Sequence, residues 1–109
     1  MQQMINKVQL IGSVGKDVDF KDLGDGNSIA RVSIATREVY KNKEGETRFD
    51  LQWHNLVAWG RIAEVMSVMF QKGKKVAVMG KLAHRTYEDK EGRKRYLSEV
   101  VVSEFHLMT

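Results

Sequence analysis

Arg61-Ile62-Ala63-Glu64-Val65-Met66-Ser67-Val68-Met69-Phe70 is the segment where apolar residues change from the spacing of a strand to that of a helix. Intervals of three, one, three and one separate its main apolar residues, which are Ile62, Val65, Met66, Met69 and Phe70. This spacing predicts an amphipathic helix of about three turns, flanked by Gly60 and ending near Gly73. Met66, Met69 and Phe70 are predicted to form a core stripe rather than a ligand-binding set.

Three strands are predicted before this helix. They are expected over residues 8–15 with 18–23 as a continuation, over 29–40, and over 48–59. Gly12 and Gly15 within the first indicate a bulge or bend of the kind that lets a sheet close into a barrel. The turn 24–27 and the charged loop 41–46 connect the three strands.

Two further strands are predicted after the helix, over residues 76–87 and 96–107, with the charged loop 89–94 between them. Three strands, one helix and two strands is the element order of the OB-fold. The sequence therefore predicts an all-β protein with one helix. We expect a five-stranded Greek-key barrel whose helix lies between strands three and four, forming one domain over residues 1–109.

Composition limits the classes of function. The 109 residues include 18 Lys and Arg against 14 Asp and Glu, a net charge of +4, which is moderately basic. Cysteine is absent, so disulfides and thiolate metal sites are excluded. The first seven residues lack the apolar run of a signal peptide, and no apolar stretch reaches the ~20 residues of a membrane helix. We expect a soluble cytoplasmic protein.

Two strands carry aromatic residues among basic ones. Trp53 and Trp59 are six residues apart, so strand alternation places them on the same face. The segment 81–87 brings Arg85 and Tyr87 close together. Flat rings bind unpaired bases and cations bind phosphates, so this pattern indicates a groove for single-stranded nucleic acid. Burial of both tryptophans in the core is the alternative.

Histidines are the basis of a competing hypothesis, a metal or acid–base site at His54, His84 or His106. No HxH or HExxH spacing is present, and no cysteine completes a ligand set. There is also no phosphate-binding glycine loop and no nucleophile triad, since Gly12 and Gly15 form an isolated GxxG. We expect no metal, no cofactor and no enzymatic activity.

The sequence resembles the bacterial single-stranded DNA-binding proteins of the homotetrameric type. The resemblance covers essentially the whole chain and keeps the matching segments in order. These segments are Asn6-Lys7-Val8, 10–15, Ile34-Ala35-Thr36, Trp53-His54, 60–65, Lys72-Gly73, 78–82 and 96–102. The family's fold is the OB-fold, and its members coat single-stranded DNA without strong sequence preference.

The resemblance implies that bases stack on Tyr40, Trp53, Trp59 and Tyr87. Family members usually carry tryptophan where this chain has Tyr40 and Tyr87, and phenylalanine is common where it has Trp59. All four remain flat rings, so stacking is expected to survive. Core packing is the alternative for each ring.

Phosphate contacts are implied in the same way. They are expected at Lys7, Arg31, Lys43, Arg61, Lys72 and Arg85. Asn55 and Gln71 stand where relatives often carry arginine, which predicts weaker binding to the sugar–phosphate backbone of DNA. For each cation, and for the triplet 93–95, a solvated surface charge is the alternative.

The resemblance also implies a homotetramer, arranged as a dimer of dimers, with subunit contacts along the first strand and around His54 and Leu56. Two departures stand out. Val18 replaces a common proline, and nothing matches the acidic C-terminal tip with which longer relatives recruit replication and repair enzymes. We therefore expect no tail-dependent partners, whether the tail is naturally missing or was removed.

The function that follows is protection of single-stranded DNA during replication, recombination and repair. Two alternatives stay open at this point. One is an assembly adaptor with weak affinity for nucleic acid, which loss of the stacking rings would favour. The other is an RNA chaperone, because the sequence does not separate DNA from RNA binding.

Overall fold

A computed structural model of the protein describes residues 5–108. Residues 1–4 and Thr109 lie outside the described residues. Part of the N-terminal segment that was used to argue against a signal peptide, and the last residue considered for the expectation about the tail, are therefore not described. The elements are β1 (Val8–Val14), β2 (Asp19–Gly24), β3 (Asn27–Lys41), β4 (Thr47–Trp59), α1 (Gly60–Met69), β5 (Lys75–Glu88) and β6 (Lys94–Met108). No helix between residues 5 and 108 has the length and apolar character needed to cross a bilayer.

The strands close into a barrel. Their order is β1-β5-β6-β4-β3-β2, and β1 closes the circle by pairing with β3. Because β1 and β2 both pair with β3, they act as one strand bent between Val14 and Asp19. The barrel therefore has five strands with α1 between the third and the fourth, which confirms the predicted architecture.

Gly12 lies where β1 crosses β3. A Cβ at this position would collide with the carbonyl oxygen of Ala35, one residue before the pair Ser13–Ala35. The close approach of the two backbones needs a residue without a side chain. Gly12, which the sequence predicted to mark a bulge or bend, thus lies where the barrel closes.

The barrel interior is filled by alternate residues of the strands and by one side of α1. The buried core consists of Val14, Ala30, Val32, Ile34, Leu56, Ala58, Ala63, Met66, Phe70, Val76, Val78, Val100 and Val102. Phe70 follows the helix and packs edge-on against Phe105, with ring centroids 4.9 Å apart. The predicted helical stripe is right for Met66 and Phe70, but wrong for Met69, which is 40% exposed.

Leu56 needs a correction. Its side chain belongs to this core and is 1% exposed within its own chain. A side chain already buried among its own strands is not available to a second subunit. The prediction that Leu56 contributes to a subunit interface is therefore wrong for its side chain.

The two long hairpins end in the same way. Asn42-Lys43-Glu44-Gly45 joins β3 to β4, and Asp89-Lys90-Glu91-Gly92 joins β5 to β6. In each, Oδ1 of the first residue accepts hydrogen bonds of 2.9 Å from the backbone N–H groups two and four residues later. The glycines have φ of 79° and 78°, as three-residue hairpin loops require.

Candidate nucleic-acid interface

The hairpin of β3 and β4 has an inner face that continues the core and an outer face that points away from it. Pairing is unbroken from Ile29–Trp59 to Lys41–Thr47, so odd-numbered residues of both strands share the outer face. Trp53 and Trp59 lie on this face and are 58% and 54% exposed. The alternative that these rings pack in the core is therefore wrong.

Trp53 is supported from behind by Gly15. A Cβ on Gly15 would collide with the six-membered part of the indole ring. The N–H of Gly15 also donates to the carbonyl of Ser33, at 3.0 Å, which holds the bend of the first strand against β3. The indole therefore lies on backbone, and a large part of its surface remains open to solvent.

Arg31, Arg85 and Glu99 join the outer face of β3 to that of β5 and β6. Glu99 is only 7% exposed. Arg85 Nε donates a 2.9 Å hydrogen bond to its Oε1, and Arg31 Nε lies 3.9 Å from its Oε2. A buried carboxylate needs such partners, and it holds both guanidinium groups in one place.

A groove of about 250 Å³ borders this cluster. Its lining includes Lys16, Asp19, Ser33 and Asn55 as well as Arg31 and Glu99. Ser33 Oγ donates to Asn55 Oδ1 at 3.3 Å. The groove thus combines cations, carboxylates and neutral donors between the bend of the first strand and the exposed tryptophan face.

Tyr87 and Tyr40 are both exposed but occupy different faces. Tyr87 has the same strand parity as Arg85, whose Cζ lies 5.8 Å from the ring centroid, so it continues the outer face. Tyr40 pairs with Arg48 and has the parity of the inner face. Three of the four predicted stacking rings therefore share one face of the sheet, and Tyr40 lies on the other side of the hairpin.

The predicted phosphate-binding cations are dispersed. Lys7 precedes β1, Lys43 lies at the tip of the β3–β4 hairpin, Arg61 is in the first turn of α1 and Lys72 follows that helix; all four side chains are exposed. Only Arg31 and Arg85 are brought together, through Glu99.

Four outer-face residues were missed by the sequence reasoning: Arg37, Val39, Phe49 and Leu51. They have the parity of Trp53 and lie on the part of the hairpin that projects beyond the core. The sequence could have predicted two of them, because the strand alternation that places Trp53 and Trp59 on one face also places Phe49 and Leu51 there.

The three histidines have separate partners. His54 Nε2 shares a 2.8 Å hydrogen bond with Thr36 Oγ1, and His84 Nδ1 shares one of 2.8 Å with Ser98 Oγ. His106 lies 3.7 Å from Glu104. In the part of the chain that the structure describes, no three His, Asp or Glu side chains come together as metal ligands would.

With the aromatic face described, comparison with known proteins identifies the family. Residues 5–108 match the model of the single-strand binding protein family. This chain belongs to that family. Among its curated relatives is single-stranded DNA-binding protein 1 of Chlorobaculum tepidum, 34% identical over 99% of this chain and 67% of the relative. The protein of the same name from Xylella fastidiosa is 37% identical over 95% of this chain and 77% of its own length.

Solved structures of proteins named as single-stranded DNA-binding proteins have the same fold. The Plasmodium falciparum SSB in complex with ssDNA superposes with a TM-score of 0.85 at 26% identity, covering 100% of this chain and 99% of the other. A deletion mutant of the Thermus aquaticus single-stranded DNA binding protein gives 0.83 at 24% identity, over 96% of this chain and 51% of the other. The barrel is the OB-fold that the sequence predicts.

Proposed function

We propose that this protein binds single-stranded DNA without strong sequence preference and protects it during replication, recombination and repair. The observation that carries the proposal is a pair of tryptophans, each more than half exposed, on one sheet face with Arg31 and Tyr87. Burying such rings in the barrel would stabilise the fold, so their exposure is best explained by a ligand that covers them.

Bases stack on Trp53, Trp59 and Tyr87 along the outer face, and Tyr40 receives a base as the strand passes around the hairpin. Every base has a π-face, so stacking is tolerant of sequence. Family membership and the neighbouring structure solved with ssDNA support this choice of ligand.

The cations bind the sugar–phosphate backbone. Arg31 and Arg85 are held by Glu99, and each keeps guanidinium N–H groups beyond the Nε that faces the carboxylate. Lys7, Lys43, Arg61 and Lys72 contact phosphates farther along the wrapped strand. Release of counterions makes this part of the affinity dependent on salt and independent of sequence.

A homotetramer, built as a dimer of dimers, is the proposed assembly. Within the described residues β1 pairs with β3 only at Ser13 and Val14, which leaves one edge of Val8–Gly12 without a strand partner. Strand edges of this kind are stabilised by pairing with a second copy. Wrapping DNA around several barrels lengthens the binding site and raises its effective concentration. The assembly acts in the cytoplasm, at the nucleoid, and without catalysis.

Titration of the intrinsic tryptophan fluorescence tests the proposal. We expect strong quenching by dT oligomers and little by double-stranded DNA, because only unpaired bases offer free faces to the rings. Titration with rU oligomers measures the preference between DNA and RNA. Equal quenching by duplex and single strand, or no quenching at all, would contradict the proposal.

A further inference from the structure

The outer face of the β3–β4 hairpin continues beyond Trp53 with exposed apolar side chains. Phe49 is 57% exposed, and Leu51 and Val39 are exposed to a similar degree. Val39 pairs with Phe49 and Arg37 pairs with Leu51, so the three apolar residues and Arg37 are neighbours on one face. Single exposed apolar residues are common, but a contiguous group beside a functional face indicates a binding surface.

The two faces of this hairpin differ in charge. Over 37–41 and 47–51 the outer face carries two cations, Arg37 and Lys41, and no carboxylate. The inner-parity face of the same segments carries both carboxylates, Glu38 and Asp50, together with one cation, Arg48. The outer face is therefore the more favourable of the two for a polyanion.

Arg37 and Phe49 form a unit on this face. The Cζ of Arg37 lies 4.0 Å from the centroid of the Phe49 ring, within the range of a cation–π contact. Among residues 5–108 the guanidinium of Arg37 has no carboxylate partner, unlike Arg31 and Arg85, which share Glu99. Its charge is thus available to a ligand phosphate, while its Cζ lies over one side of the ring.

We propose that Phe49 and Arg37 form a further base-stacking platform, which extends the track of Trp53 and Trp59 toward the hairpin tip. The inference rests on the proposed binding of single-stranded DNA. Phe49 lies four strand residues from Trp53, or about 14 Å along β4. An unpaired base stacks on the exposed ring or on the guanidinium plane, and its phosphate meets the charge of Arg37.

A second copy of the chain or another protein is the competing occupant. Protein interfaces of this kind place apolar residues at the centre and are depleted in charge there. Here a cation stands over the aromatic ring at the centre of the group, and the face continues into the exposed tryptophans. Both features favour nucleic acid.

The test compares Phe49→Leu with Phe49→Tyr. Leucine keeps the apolar character and removes the ring, whereas tyrosine keeps the ring. We expect Phe49→Leu to weaken binding of long dT oligomers about 5- to 140-fold, equivalent to about 1–3 kcal/mol, and Phe49→Tyr to remain close to wild type. Val68→Ala, which removes an exposed apolar side chain of α1 outside this face, is the control and should change affinity less than about two-fold.

Oligomer length and a double-mutant cycle sharpen the test. The Phe49→Leu defect should vanish for dT oligomers too short to reach from Trp53 to the platform. Arg37→Gln should weaken binding alone, and Arg37→Gln with Phe49→Leu should lose less than the two single losses combined, because ring and guanidinium act together.

Each other outcome overturns the inference in a recognisable way. Wild-type affinity of Phe49→Leu, with loss of affinity in Trp53→Ala, removes the platform and leaves the proposed function intact. Equal losses in Phe49→Leu and Phe49→Tyr show that the ring is not a stacking surface. Unchanged DNA affinity with a changed mass by light scattering assigns the face to a protein contact. Absence of dT binding by the wild-type protein removes the proposed function itself.

Discussion

Gly15 and Trp53 show how a single residue keeps a large aromatic ring exposed. The indole needs a flat support that does not cover its outward side, and a backbone without a Cβ offers that support. A soluble domain would otherwise bury a side chain of this size. The pair thus keeps a large ring both held in place and exposed.

Trp53→Ala and Trp59→Ala should each weaken oligo-dT binding by roughly 1–3 kcal/mol, because each removes one stacking ring. Both side chains are more than half exposed, so the fold should remain intact. Titration of the fluorescence of the remaining tryptophan measures the affinity for oligo-dT, and thermal unfolding checks that the fold is intact. Loss of folding with wild-type affinity per folded molecule would contradict the prediction.

Gly15→Ala should weaken DNA binding without any change to a proposed contact residue. The added methyl group displaces the Trp53 ring, so the loss should not exceed that of Trp53→Ala. Adding Gly15→Ala to Trp53→Ala should cause little further loss of affinity, since both act through the same ring. A full additional loss in the double variant would show that Gly15 acts elsewhere.

At the scale of elements, the two long hairpins have the same hydrogen-bond pattern at their tips, but the accepting side chain is neutral in one and charged in the other. Both tips are closed by a side-chain oxygen that accepts two backbone N–H groups. Asn42 does this as a neutral amide. Asp89 does it as a carboxylate and also accepts a 2.9 Å hydrogen bond from Arg95 Nε.

This difference predicts a difference in acid sensitivity. The hydrogen bond from the backbone N–H of Arg93, followed by that from Arg95, lowers the pKa of Asp89 below its ordinary value. A lowered pKa in the folded state means that the carboxylate stabilises the β5–β6 hairpin above the ordinary pKa, about 3.9. That contribution is lost as the pH falls through the lowered value.

NMR titration of the Arg93 amide proton should therefore show a midpoint below about 3.9. Asp89→Asn, which copies the neutral design of Asn42, should remove this transition while keeping an oxygen acceptor for the two backbone N–H groups. A midpoint at or above the ordinary value would contradict the assignment.

At the scale of the whole molecule, binding should weaken steeply with salt. The slope of log affinity against log salt should shrink by about 0.7 for each phosphate contact removed. Lys43→Ala and Arg85→Ala are the test pair, one from the β3–β4 tip and one from the Glu99 cluster. An unchanged slope in the double variant would exclude both residues from the DNA path.

Arg85→Ala should have a second effect that Lys43→Ala lacks. It leaves Glu99 buried with only the more distant Arg31, at 3.9 Å, and should cost about 1–3 kcal/mol of folding stability. Denaturant unfolding of the two single variants separates this structural role from phosphate binding. Equal stabilities would show that Glu99 does not depend on Arg85.

The assembly is tested by light scattering. We expect a species of four times the 12.5 kDa mass of one chain at micromolar concentration. A charged residue placed on the unpaired edge, such as Gln9→Glu, should weaken that association if copies pair through β1, because charges on an edge strand disfavour edge-to-edge pairing. A 12.5 kDa species for the wild-type chain would contradict the tetramer.

Much of the fold was predictable because it depends on local periodicity. Strand alternation, the change to helical spacing at Arg61 and the turn residues of the hairpins are properties of neighbouring residues. They predicted the barrel order and the shared face of Trp53 and Trp59. The ends of the strands moved by no more than two residues, the helix ends at Met69 rather than near Gly73, and the bend predicted in the first strand lies between β1 and β2.

Features that depend on residues far apart in the chain needed the tertiary structure. Arg31, Arg85 and Glu99 meet only because β3, β5 and β6 bring their outer faces together, and no local pattern relates them. Met69 and Leu56 were assigned wrongly because periodicity shows which residues share a face, and packing then sets how deeply each is covered. The exposure of Trp53 and Trp59 also needed the tertiary structure, because an apolar face becomes surface or core according to what packs against it.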